Sequence, residues 1–178
     1  MSHFAVSAVG ADQPGIVAAV TGVLVDHGCN LEDTSMSILR GHFAMMMVVA
    51  GPEGLAPADL ESALAGIAGR FDLVVAVRPI DDAVPDSPEG DAWNVAVYGA
   101  DRPGIVHQVT ATLAEAGVNI LDLTTRLIGD DDHPVYAMIL EVTLPLALSG
   151  DDLAARLEAR ATELGVECSV HPSEADIL

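Results

Sequence analysis

Gly10-Ala-Asp-Gln-Pro-Gly-Ile-Val17 returns as Gly99-Ala-Asp-Arg-Pro-Gly-Ile-Val106, identical at seven of eight positions and 89 residues further along the 178-residue chain. Self-similarity at a fixed offset marks a duplicated structural unit. The same offset aligns Gly28-Cys-Asn-Leu-Glu-Asp33 with Gly117-Val-Asn-Ile-Leu-Asp122. Beyond that point it becomes 93, pairing Phe43-Ala-Met45 with Tyr136-Ala-Met138, Asp59-Leu60 with Asp152-Leu153, and Val77-x-Pro79 with Val170-x-Pro172. The four extra residues, Asp130-Asp-Asp-His133, fall between two apolar runs. An insertion that leaves the flanking register intact belongs in a hairpin loop. The expected organisation is a first domain over 1–80, an acidic proline-containing linker over 81–91, a second domain over 92–173 and a short tail over 174–178.

Each copy carries the same succession of periodicities. Phe4–Val9 and Trp93–Tyr98 read as strands; Ile16, Val17, Val20, Val23 and Leu24, like Ile105, Val106, Val109 and Leu113, recur at helical spacing. Pro14 and Pro103 are expected at helix starts, Gly28 and Gly117 at helix ends. Two strands follow each glycine, Leu31–Arg40 with Phe43–Ala50 and Ile120–Ile128 with Val135–Leu144. Then comes a helix from near Pro57 or Ser149 and a last strand, Leu73–Arg78 or Val166–His171. With right-handed crossovers, βαββαβ gives an α+β unit of the ferredoxin-like kind, a four-stranded antiparallel sheet with two helices on one face. The other face of each sheet is left bare.

Composition limits what such units do. Hydrophobic residues are 51% of the chain and aromatics 3%, so the cores are aliphatic. The longest stretch without a charge, Gln13–Val25, is shorter than the roughly 18 residues that span a bilayer, and no secretory pattern opens the chain. A cytoplasmic protein without membrane attachment is expected. With 27 acidic against 7 basic residues the formal charge is -20, which repels phosphate backbones and disfavours direct nucleic-acid binding. RNA-recognition domains share the βαββαβ order but present aromatic and basic residues on the sheet, whereas Phe4–Val9 and Phe43–Ala50 carry no basic residue and little aromatic content. Cys29 and Cys168 align with Val118 and Val75 and read as small buried hydrophobes.

A βαββαβ unit with Asp-x-Pro-Gly-Ile-Val ahead of its first helix and Gly-x-Asn-(Leu/Ile) ahead of its second strand resembles the ACT domain. Two such units in tandem resemble the stand-alone double-ACT regulators of the glycine cleavage system repressor type. That resemblance implies a non-catalytic regulatory protein, an allosteric sensor that binds an amino acid or similar small molecule at interfaces between domains. It also implies signalling through a protein partner, a regulator or a metabolic enzyme, without direct DNA contact. A purely structural interaction module without a ligand is the alternative, and an enzyme the remote one. Exposed edge strands and bare sheet faces argue for side-by-side pairing of the repeats or for a homodimer.

The candidate ligand residues lie in the two repeated motifs. Asp12, Gln13, Pro14, Gly15 and Ile16, with Asp101, Arg102, Pro103, Gly104 and Ile105, lead a strand into a helix whose first amides lack partners, an end that attracts anions. A bound amino acid would set its carboxylate on those amides, while Asp12 or Asp101 either accepts from its ammonium group or caps the helix. Asn30 with Leu31 and Asn119 with Ile120 form the second element: Asn either touches a zwitterion, as the resemblance implies, or closes its own turn. Gln13 against Arg102 is the one difference within the octapeptide; the guanidinium suits a carboxylate, an interdomain salt bridge or a surface ion pair.

Other polar residues read as ordinary surface. Asp33, Asp122 and His107 are expected in solvent. The remaining histidines lack metal-ligand spacing, and Asp130–His133 lacks the glycine and distal glutamate of a calcium loop. Met45-Met-Met47 is expected to fill the core or support an interface. No nucleophile-base pair, phosphate loop or cofactor cradle is present, so neither a catalytic residue nor a cofactor or metal is assigned.

Overall fold

A computed structural model of the chain describes residues 1–80, 90–128 and 135–173. Most of the expected linker, the inserted Asp130–His133 segment and the tail lie outside the described residues. The chain divides into two compact units, Met1–Val84 and Pro85–Leu178.

The first unit runs β1 (Ser2–Ala11), α1 (Ile16–Asp26), β2 (Asn30–Leu39), β3 (His42–Gly51), α2 (Pro57–Phe71) and β4 (Leu73–Ile80). The second repeats it as β5 (Ala92–Gly99), α3 (Ile105–Glu115), β6 (Asn119–Ile128), β7 (Val135–Thr143), α4 (Gly150–Leu164) and β8 (Val166–Pro172). The sheets are ordered β2-β3-β1-β4 and β6-β7-β5-β8, antiparallel throughout. Each unit is therefore a ferredoxin-like βαββαβ domain. Gly90 and Asp91 already pack on the second unit, Asp91 accepting from the Leu144 amide at 3.1 Å, so that unit begins ahead of β5.

Alternation along the strands sorts core from surface. Phe4, Val6 and Ala8 of β1 and Phe43, Met45, Met47 and Val49 of β3 are buried against Ile16, Val20 and Leu24 of α1 and Leu60 and Leu64 of α2. Met46, between two buried methionines, points the other way and is 57% exposed; with Val9 and Val74 it leaves an apolar patch on the bare face. The methionine run thus serves both surfaces. In the second unit Val95, Val97, Met138, Leu140 and Val142 meet Ile105, Leu113, Leu153 and Leu157.

Both first helices end in the same double hydrogen bond. Gly28 and Gly117, at positive φ, donate to Val25 and Ala114, and the next residues, Cys29 and Val118, donate to Leu24 and Leu113. This is a Schellman motif, whose following residue packs against the last apolar turn. It explains why a buried cysteine and a buried valine occupy equivalent positions.

The first glycine of the octapeptide is demanded by space. A Cβ on Gly10 would lie 2.7 Å from the Asp72 carbonyl oxygen and from the Leu73 side chain, and one on Gly99 would lie 2.7 Å from the Val166 side chain. The end of each central strand thus abuts the start of the last strand. We predict that Gly10→Ala destabilises the protein by about 1–3 kcal/mol, the usual cost of overpacking. Urea unfolding monitored by circular dichroism checks this, and an unchanged midpoint would refute the close approach.

Candidate functional site

Past Ala11 and Gly99 the chain reverses from strand to helix in four residues. Gly15 (φ 95, ψ -4) and Gly104 (φ 97, ψ -7) have the angles required at the third position of a type II turn, with proline before them at the second. A Cβ would meet nothing closer than 3.9 Å at Gly15 and nothing within 4 Å at Gly104, so backbone angle and not crowding excludes other residues. The helices begin at Ile16 and Ile105, so Pro14 and Pro103 belong to the turn and not to the first helical turn as expected.

Helix capping by Asp12 and Asp101 is likewise corrected. Neither helix receives a side-chain cap, and neither has an acidic residue in its first turn. Gly15 and Gly104 are the N-caps, and their carbonyls accept from Ala19 and Gln108 at 2.9 Å. The amides of Ile16–Ala18 and Ile105–His107 precede the first residues able to bond within the helix, and no side chain takes their place. The result is an uncapped positive helix end beside an exposed carboxylate.

The hairpin tip joining β2 to β3 adjoins this turn. Arg40 (φ 49) and Gly41 (φ 80) are both left-handed, as a two-residue hairpin turn requires, and the Gly41 carbonyl accepts from the Asp12 amide at 2.9 Å. An open cleft of about 430 Å³ lies here, with Asp12, Gly15 and Val17 on one side and Met36 and Phe43 on the other. That volume falls in the range of small-molecule sites. Its far wall escaped the sequence reading, although Met36 and Ile38 alternate toward the helix side opposite Met45 and Phe43. In the second unit the aligned wall residues are Thr125 and Tyr136, and Ala18 is replaced by the exposed His107.

Asn30 and Asn119, the second candidate element for ligand contact, do not join the turn of their own unit. Asn30 pairs with Ala50, and Asn119 with Thr143, at the opposite end of the sheet from Asp12 and Asp101. Helix α1 stands between, 11 residues and about 16 Å long. Both asparagines are exposed, and neither makes a local side-chain bond, so turn closure does not occupy them. A β-bulge follows each, between Leu31 and Asp33 and between Ile120 and Asp122. Asp33 and Asp122 fall on the bare face; Asp33 accepts from the Thr34 amide at 2.8 Å.

Gln13 and Arg102 prove alike. Gln13 Nε2 donates to the Phe71 carbonyl at 3.3 Å, and an Arg102 guanidinium nitrogen donates to the Leu164 carbonyl at 3.3 Å. Phe71 and Leu164 are the last residues of α2 and α4. The expected surface ion pair of Arg102 is replaced by a bond to a helix-terminal carbonyl. The inequality of the two turns resides instead in the cleft wall.

Among the described residues no group of three His, Cys, Asp or Glu could hold a metal, and no helix is long and apolar enough to cross a membrane. An ACT domain model matches residues 2–78, and a second ACT domain model matches residues 94–154. The glycine cleavage system transcriptional repressor of Escherichia coli K12 is 27% identical over 171 residues, 95% of this chain and 89% of that protein. The phosphoserine phosphatase SerB2 of Mycobacterium tuberculosis is 29% identical over 148 residues, 79% of this chain but 34% of the phosphatase. A crystal structure of an unknown protein from Galdieria sulphuraria superposes with TM-score 0.82 at 28% identity, covering 97% of this chain and 99% of that one.

Neither cysteine lies in the cleft. Burial raises the Cys29 thiol, and burial followed by the charge of Glu158 pushes Cys168 up to about 11. A raised pKa lowers the thiolate fraction at every pH below it. Because thiolate is the reactive form and its higher basicity offsets only part of the loss, Cys168 should be alkylated at pH 8 about tenfold more slowly than a thiol of ordinary pKa. Timed iodoacetamide labelling with mass spectrometry measures this, and labelling at the free-cysteine rate would contradict it.

Proposed function

The chain belongs to the ACT-domain family, and on that premise we propose that it is a non-catalytic regulatory protein that binds a free amino acid at its β1–α1 and β5–α3 turns. The observation that carries the proposal is the uncapped helix N-terminus beside the exposed Asp12, opening onto the Val17–Met36–Phe43 cleft. The ligand carboxylate sits on the Ile16–Ala18 amides, its ammonium group on the Asp12 carboxylate, and a short side chain against Val17 and Met36. The aligned wall of the second turn, with His107, Thr125 and Tyr136, suits a more polar side chain. Glycine and serine are the first ligands to test, since one relative is named for glycine cleavage and another for phosphoserine. The signal passes to a protein partner, because the acidic chain repels nucleic acid.

Asn30 and Asn119 enter through assembly. Every residue of β2 and of β6 is at most partly covered, and each strand has one unpaired edge. Antiparallel pairing of β2 with β2 of a second copy would lay Asn30 beside the partner's Leu39, next to the hairpin tip that binds the Asp12 amide. The homodimer thereby completes what one unit leaves open. Such pairing also removes an exposed edge.

A thermal-shift screen of the twenty amino acids at up to millimolar concentration tests the reading. A ligand at a hundredfold its Kd stabilises by about 2.7 kcal/mol, which raises Tm by several degrees. Asn30→Ala should reduce the shift while leaving the ligand-free Tm nearly unchanged, because the side chain is exposed and unbonded. A flat response to all twenty would sink the sensor reading in favour of an interaction module without a ligand.

A further inference from the structure

Both units tie the strand-to-helix turn to the end of the second helix, by chemically different means that reach the same place. Gln13 donates to the Phe71 carbonyl and Arg102 to the Leu164 carbonyl, each the last residue of its helix. Carbonyls at a helix C-terminus have no partner within the helix, so an outside donor is favoured there. The neighbouring contacts run the same way. Gly10 abuts the Asp72 carbonyl, Gly15 lies over the Phe71 ring edge, and Gly99 abuts Val166.

The surroundings differ in a compensating pattern. In the first unit a neutral Gln13 is accompanied by Arg70 in the last turn of α2 and by Asp72 at φ 53 just beyond it. In the second, Arg102 reaches a helix with Glu163 at the position of Arg70, no basic residue in its last turn, and Gly165 at φ 67 in place of Asp72. A Cβ on Gly165 would lie 3.1 Å from an Arg102 guanidinium nitrogen, so the longer donor occupies space that only glycine leaves open. Glu163 is itself paired with Arg160 at 2.7 Å, so the Arg102 guanidinium is left for the Leu164 carbonyl. Two solutions that differ at three positions and keep the same bond indicate that the bond itself is what is maintained.

We infer that Gln13 and Arg102 are positioning residues, latches that hold the candidate ligand turn against the α2–β4 and α4–β8 junctions so that turn and last strand move as one body. β4 and β8 are edge strands, on the side of each sheet away from β2 and β6. A disturbance of the turn is thereby carried to the opposite edge of the sheet. That the disturbance is ligand binding rests on the function proposed above; the latch does not.

Amide hydrogen exchange on the full-length, ligand-free chain, read by mass spectrometry, separates the two. Arg102→Leu should speed exchange about tenfold in both Gly104–Gln108 and Gly165–Cys168, with the first unit unchanged, and Arg102→Gln should restore both segments. Gln13→Leu should do the same in the first unit alone, at Gly15–Ala19 and Leu73–Val75. Acceleration confined to the turn, no acceleration in either segment, or failure of Arg102→Gln to restore them would overturn the latch. Saturating glycine or serine added to the unmodified chain should slow both segments together. If neither protects them while the variants behave as described, the latch stands and the choice of ligand fails.

Discussion

The reversal from strand to helix at Pro14-Gly15 and Pro103-Gly104 is the constraint on which the rest of each unit depends. A right-handed crossover needs the helix to fold back over its own strand at once, and a type II turn does so only with a residue at φ near 95° in third place. Glycine satisfies that angle without strain, and proline before it fixes the second position. The geometry carries a consequence for chemistry. With glycine as N-cap there is no side-chain oxygen for the first amides, so the turn that starts the helix also leaves its positive end open.

Much of this was legible in the sequence, for identifiable reasons. Duplication gives each reading twice, and alternation on β1 and β3 is unambiguous because Phe4, Val6, Ala8, Met45 and Met47 form a core with little aromatic bulk to confuse the period. What was not legible was the spatial relation of motifs. Asp12 and Asn30 recur together in both copies, which suggested one site, yet a full helix carries the chain from one end of the sheet to the other between them. Sequence proximity across an α-helix is distance and not contact. The cleft wall and the hairpin tip were missed for a related reason, since Met36, Phe43 and Gly41 reach the turn only through the β2–β3 pairing.

Arg102 shows how charge misleads when read alone. In a chain with few cations a guanidinium inside a repeated motif invites a carboxylate partner. The backbone offers a partner that no side-chain pattern reveals, the terminal carbonyl of a helix 62 residues away. All seven basic residues are arginine, and two of them, Arg70 and Arg102, stand at the ends of second helices. Arg70 also stacks 4.9 Å from the Phe71 ring centroid. Two of the seven positive charges are thus placed at negative helix ends.

The two units consequently share a scaffold and differ in what they expose. Equal turns, equal caps and equal latches make the amide end of each first helix the common element, while Met36 and Phe43 give way to Thr125 and Tyr136 on the facing wall. On the proposed function, a wall residue changes which side chain fits without altering how a carboxylate and an ammonium group are held. Divergence of the wall after duplication would then fit one scaffold to two different ligands, and the apolar patch of Val9, Met46 and Val74, on the bare face of the first unit, supplies uncharged surface on a strongly acidic molecule. Such a face lacks the like-charge repulsion that the rest of the surface presents to another acidic molecule.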